Sequence, residues 1–291
     1  MSSILKVNTI QDQDGNNIIN ESSDTITIGA SGDTVNIVGT LQNNGGSVGI
    51  TSKEGGTNFT NSLLVGTDST GTLDAATGNT GVGVGVFAAL TSGDNNIAVG
   101  LNSLAALTTG TENTAVGKEA MCSNTTASNN TALGSGALKT NSTGSGNTAI
   151  GAYSLDASTT SNHNTGVGQN TLTANTTGYA NTAVGYNALC THTTGNSNTA
   201  VGDNTMRLTT TGTFNVAVGD NALCANTTAS ENVAVGRDAL FANTTGADNV
   251  AVGSLSLDAN TTASCNTAIG KNAMTATTTG CRNVAVGAGA L

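Results

Sequence analysis

"NTAVGYNALCTHTTGNS", residues Asn181 to Ser197, is repeated with small changes on both sides. The stretch before it reads "NTGVGQNTLTANTTGYA" and the stretch after it "NTAVGDNTMRLTTTGTF". Anchored on the glycine that closes "VG", the phrase recurs from Gly83 through Gly185 to Gly287, always 17 residues apart. A degraded form continues upstream through "LLVG" at Gly66 and "SVG" at Gly49. Self-similarity at a fixed short period marks a solenoid, in which each unit can bury its apolar side only against the next.

Slots are numbered here from the asparagine four residues before that glycine. Slot 1 is Asn in all thirteen copies, from Asn79 to Asn283. Slot 2 is Thr, Val or Ile, slot 3 Ala or Gly, slot 4 Val, Ile or Leu, and slot 5 Gly. Slot 8 is small apart from Val86, and slot 9 is Leu, Met or Phe. Slots 13 and 14 are Thr with a single Ser in each, and slot 15 is Gly, Ala or Ser. All sixteen charged residues of the repeats fall in slots 6, 7, 10, 16 and 17, so those slots are expected to face water. Slots 4 and 9 never hold a polar residue and are expected to face inward.

Composition narrows the classes of function. The chain has 291 residues, 39 glycines, no proline, no tryptophan and 9% charged residues, and its net charge is −10. Phosphate backbones need a basic face, so nucleic acid is not the expected partner. No apolar run approaches the roughly 18 residues of a membrane span. The opening "MSSILKVNTIQDQDG" lacks the apolar core of a secretory signal, which predicts synthesis in a cytoplasm without the usual export. Five cysteines without a metal-binding spacing read as reduced thiols.

A coil of 17 residues leaves room for a short helix, but the residues oppose one. Glycine at slots 5 and 15, threonine at 13 and 14, and β-branched residues at 2 and 4 favour strands of four or five residues between Gly and Asn corners. The expected fold is all-β, a repetitive β-solenoid or β-roll with one coil per 17 residues. Asparagines at slot 1, suited to left-handed backbone angles, would stack into a ladder, as would the threonines. With coils about 4.8 Å apart, twelve steps give a rod roughly 60 Å long. Its core is thin for the number of residues it must order. An unbroken stripe of alanine at slot 3 is what close packing against another chain would require. Together these predict an oligomer.

Three segments follow. Residues 1–45 hold "ILKVNTIQDQDGNNII", two alternating runs around Asp14-Gly15 that predict a β-hairpin, then the related "DTITIG" (Asp24–Gly29) and "DTVNIVG" (Asp33–Gly39). "DQDGN" reads as the turn of that hairpin and not as a calcium loop, which needs more ligands and a later Glu. Residues 46–78 are degenerate repeats that cap the solenoid. Residues 79–291 are the thirteen repeats, the last incomplete at Leu291.

"NTAVGxNAL" followed by "NTTG" is similar to the head repeats of trimeric autotransporter adhesins, which are β-rolls packed three to a fibre. The whole 17-residue phrase resembles repeats of phage tail-fibre proteins more closely still. "LKVNTIQDQDGNN" with "DTITIGASGDTVNI" resembles the N-terminal attachment segment of fibre-like proteins in tailed phages of marine bacteria. The resemblance implies a homotrimeric, non-catalytic structural fibre protein of a virion that mediates or supports host attachment. Residues 1–45 would join it to other tail or baseplate proteins, and a host glycan or protein receptor is a further implied partner. The self-cleaving chaperone domain that ends many such fibres is not found before Leu291. Neither a signal peptide nor the C-terminal membrane barrel of an adhesin is found, which favours the virion over the alternative, a head domain on the bacterial cell surface.

No catalytic, cofactor or metal site is expected. The histidines, His163 in slot 17 and His192 in slot 12, have no evident pocket or orienting partner. Apart from Phe87 in slot 9, every aromatic of the repeats sits in a variable slot. Tyr153, Tyr179, Tyr186, Phe214 and Phe241 are therefore the candidate receptor contacts. A third possibility is ice binding by the threonine rows, although adjacent threonines point opposite ways and give only one outward column. The glycosylation sequons at Asn124 and Asn175 are slots 12 to 14 of the repeat and read as such.

Overall fold

The computed structural model describes the backbone at 42–43, 46–47, 52–54 and 59–60, and whole residues at 62–66 and 70–291. The chain divides into two units, Met1–Gly49 and Ile50–Leu291. In the first, Gln42–Asn43 pairs antiparallel with Gly46–Ser47. The hairpin predicted around Asp14-Gly15 and the two "DT" runs lie outside the described residues.

The second unit is a parallel β-solenoid of about thirteen coils, and no helix occurs among the described residues. Coils are numbered from Asn79, so coil 7 is residues 181–197. Each contributes one three-residue strand from slots 2–4, such as Thr182–Val184 and Thr199–Val201. These strands stack in register, Thr182 beside Thr199, Ala183 beside Ala200 and Val184 beside Val201. Leu63–Val65 continues the parallel stack below coil 1, and Ser52–Glu54 pairs with it antiparallel at the edge of the sheet. An antiparallel edge strand ends the run of identical parallel pairings.

The strands are shorter than the four or five residues expected, because left-handed backbone bends occupy much of the coil. Slot 5 glycines have φ near +130°, as at Gly185 (129°). Non-glycine residues adopt positive φ at slots 7, 9 and 17, for example Asn187 (55°), Leu189 (53°) and Ser197 (57°). The asparagine of slot 1 does not, contrary to expectation. Its side chain holds it in place, and the left-handed turn lies one residue earlier. Left-handed angles cost an L residue about 1–2 kcal/mol each, a cost the stacking between coils must offset.

Backbone bonds run between coils on every side. In coil 7, Thr182 N donates to Asn198 O (2.8 Å), Gly185 N to Val167 O (2.9 Å), Leu189 N to Thr205 O (3.1 Å) and Thr193 N to Thr210 O (2.9 Å). The predicted side-chain ladders are present. Asn198 Nδ2 donates to Asn181 Oδ1 (3.0 Å) and Gly212 O (2.9 Å), and Asn198 Oδ1 accepts from Asn215 N (3.0 Å) and Nδ2 (3.1 Å). Every slot-1 asparagine from Asn79 to Asn266 is fully buried. At slot 13 a hydroxyl donates to the carbonyl of the next coil, as Thr193 Oγ1 does to Thr210 O (3.0 Å).

The interior corrects the sequence reading in one important respect. Slot 9 points inward as expected, with Leu189 and Met206 fully buried. Slot 4 does not. Within a three-residue strand the side chains alternate, and here slot 3 faces in while slots 2 and 4 face out. Ala183, Ala200 and Ala217 are 0% exposed, whereas Val218 is 38% and Leu133 48% exposed. The alanine stripe is therefore core and cannot pack against another chain. It is small because slots 8 and 9 of the same coil fill the space opposite. In coils 1 and 6 slot 3 is glycine and a larger slot 8 stands opposite, Val86 and Thr171, although Thr205 faces Ala200 in coil 8. A Cβ on Gly81 would meet Val86 Cγ1 at 2.9 Å and Phe87 Cδ2 at 3.0 Å, and one on Gly166 would meet Thr171 Oγ1 at 2.8 Å.

Candidate functional site

With slots 1, 3, 8, 9, 12 and 15 inside, the remaining slots form the surfaces available to a partner. The first is the outer face of the long sheet. Slot 4 supplies an unbroken column of Val, Ile or Leu from Val82 to Val286, and slot 2 a column of Thr, Val or Ile beside it. None of these residues is buried. From coil 9 both columns become largely aliphatic, with Val216 beside Val218, Val233 beside Val235 and Val250 beside Val252. No charged residue occurs in either column across the repeats.

The second surface is a set of ridges at the variable slots. Slots 6 and 17 are mostly exposed, while slots 7, 10 and 16 are largely half-buried, so the expectation that all five face water holds fully only for two. Two carboxylates in slot 10 show the consequence. Asp156 and Asp258 each keep one buried oxygen without a partner, and burial raises both carboxyls above the usual range. In slots 7 and 17 the left-handed backbone leans a side chain over the preceding coil. A Cβ on Gly136 would meet Tyr153 Cδ1 at 3.0 Å, and one on Gly146 would meet His163 Cδ2 at 2.9 Å.

The five candidate aromatics are all exposed, between 43% for Phe241 and 60% for Phe214. They do not converge. Tyr153 and Tyr186 occupy the ridge of slots 6 and 7, and Tyr179 and Phe214 that of slots 16 and 17, each pair two coils or about 10 Å apart. Phe241 stands alone in slot 10. Among the described residues no group of three His, Cys, Asp or Glu is arranged to hold a metal ion.

No protein-family model, no curated protein and no solved structure matches the chain. The resemblance drawn from the repeats therefore rests on the residues themselves, and the surface must be read from its chemistry.

The remaining features fall on known slots. His163 is exposed on its ridge, whereas His192 is sealed inside coil 7. The sequon asparagines Asn124 and Asn175 are fully buried in slot 12, where no glycan could be attached to the folded chain. The five cysteines are free. Slot 14 gives one exposed column of hydroxyls, as at Thr177, Thr194 and Thr211, while the slot 13 hydroxyls are engaged in the ladder. The feature that sequence reasoning missed is the apolar sheet face. Its signal was present in slots 2 and 4, which are always β-branched or aliphatic, but slot 4 was read as core and slot 2 was given no orientation.

Proposed function

We propose that the solenoid is a non-enzymatic fibre segment in which three copies of the chain associate through their sheet faces. The observation that carries this reading is the outward apolar strip of slots 2 and 4. It is roughly 60 Å long and about 7 Å wide. Parallel sheets are normally covered on both faces, and a contiguous apolar strip of this size marks an interaction site. Here one face is covered by the chain's own slots 8 and 9 and the other by nothing in the chain described. Because every coil offers the same strip in register, the partner it fits best is a parallel surface of equal period, another copy of itself.

In this reading the ridges bearing Tyr153, Tyr179, Tyr186, Phe214 and Phe241 face outward from the trimer and are available to a host glycan or protein. The similarity of the repeats and of the opening segment to tailed-phage fibres favours a virion tail fibre, joined through residues 1–45 to tail or baseplate proteins. The same assembly would serve as the head of a bacterial surface adhesin.

The test is native mass by light scattering without denaturant. Three times the chain mass of 28.4 kDa is expected. The double substitution Val218→Lys and Val235→Lys, which places charges on the strip without touching the core, is expected to yield folded single chains. A native chain that is already a folded monomer would sink the trimer. Mass spectrometry of purified virions against host cell envelopes would then separate the two locations.

A further inference from the structure

Slot 12 is the interior column whose chemistry varies most. It is apolar in coils 1 and 2, as Leu90 and Leu107, and afterwards Asn, Ser, His or Thr. Over coils 9 to 11 the asparagines form a second ladder. Asn243 Nδ2 donates to Asn226 Oδ1 at 3.3 Å, and Asn260 Nδ2 donates to Asn243 Oδ1 at 2.9 Å.

Coil 7 lies outside that ladder. His192 is 0% exposed, and its Nε2 lies 2.7 Å from Gly195 O. A carbonyl oxygen only accepts, so Nε2 carries the proton and Nδ1 is bare. Nδ1 is buried without a partner, and so is Asn175 Oδ1, the acceptor one coil below in the same column. Two buried acceptors thus sit in adjacent coils of the same column, and neither has a donor. No countercharge is at hand. The interior slots of coils 6, 7 and 8 otherwise hold only Asn, Ala, Gly, Thr, Leu and Met. The ionisable side chains of those coils, Tyr179, Tyr186, Cys190, Asp203 and Arg207, all occupy outer slots.

We propose that His192 makes coil 7 an acid-sensitive joint, at which protonation of the ring opens residues 181–197 while the coils beyond their neighbours stay stacked. A proton on Nδ1 would at best find one neutral acceptor, such as the unpaired Asn175 Oδ1 of the adjacent coil. It would also leave an imidazolium among neutral groups, and one amide oxygen does not replace its hydration. Burial holds the imidazole below its ordinary value, with the Gly195 carbonyl opposing in part. The opened coil therefore binds a proton more readily than the closed one. Stability from this group is complete above about pH 6.5 and declines as pH falls toward the lower value in the closed coil.

Hydrogen exchange of the full chain between pH 7 and pH 5, corrected for the intrinsic rate, tests this directly. Opening of coil 7 is expected to rise progressively as pH falls below about 6.5, with on the order of 20-fold over that range as the upper limit set by a closed coil that takes up no proton. Coils 2 and 3 should not change with it. His192→Asn restores the residue most common in this column, and His192→Leu copies Leu90 and Leu107. Both variants should fold and lose the pH dependence in coil 7. The proposal is overturned if the native chain shows no rise, if protection increases in acid, or if the rise persists in both variants.

Discussion

Replacing Asn198 with alanine is expected to cut the solenoid functionally in two at coil 8. The side chain joins three coils, donating to Asn181 Oδ1 and Gly212 O and accepting from both nitrogens of Asn215. It is fully buried, so water cannot replace what it loses. Alanine leaves Asn215 N without its acceptor and Gly212 O without this donor. At about 1–3 kcal/mol for each buried group left unpaired, the loss is roughly 3–5 kcal/mol. In a structure where each coil contacts only its neighbours, that loss is not shared along the rod. Hydrogen exchange should show protection collapsing across coils 7 to 9 and surviving in coils 2 to 4. A uniform, small loss of protection along the whole solenoid would contradict the nearest-neighbour picture.

Gly185→Ala should be about as damaging for a different reason. Gly185 has φ of +129°, which an L residue rarely adopts. A Cβ there would lie 2.3 Å from Gly202 O and 2.6 Å from Gly202 C. That neighbour cannot yield, because Gly202 N is bonded to Val184 O at 2.8 Å and Gly185 N to Val167 O at 2.9 Å. Relief of the clash breaks the ladder on one side or the other. A cost of about 3 kcal/mol or more is expected. The matched control is Gly178→Ala in slot 15, where Ala127, Ala229 and Ala263 stand in other coils. A Cβ there would lie as close to a backbone oxygen, 2.3 Å from Gly195 O, but without the left-handed angle. The alanines of other coils show that the slot 15 backbone shifts to admit a methyl, so the cost should be clearly smaller than at Gly185. Thermal melting of the two variants side by side decides the matter, and equal losses would show that backbone angle is not the constraint at slot 5.

Much of this architecture was legible in the repeat. The 17-residue period, the inward Leu189 and the ladders of Asn181 and Thr193 follow from which residue types each slot admits. The orientation of the strand did not follow. Val184 was assigned to the core because its slot excludes polar residues, and Ala183 to an interface because small residues permit close approach. Both inferences are sound locally, and the geometry reverses them. A slot can exclude polar residues without facing the chain's own core, as Val184 does. A slot can stay small because Leu189 and Ala188 already occupy the space it faces. Nor could the left-handed angles at Leu189 be foreseen, since leucine has no local preference for them and only stacking imposes them. For the aromatics, the sequence correctly placed all five outside. It could not tell that they divide among three ridges, which depends on where the coil turns.

The in-register pairing of coil with coil has a consequence at the level of the gene. Since Thr182, Ala183 and Val184 meet Thr199, Ala200 and Val201 in the same way that each neighbouring pair of coils meets, excising or duplicating one whole copy creates no new kind of junction. Unequal recombination between copies would therefore shorten or lengthen the rod by about 4.8 Å at a time and still encode a chain that folds. Reach becomes a quantity that selection can adjust in unit steps, separately from the residues that decorate the surface.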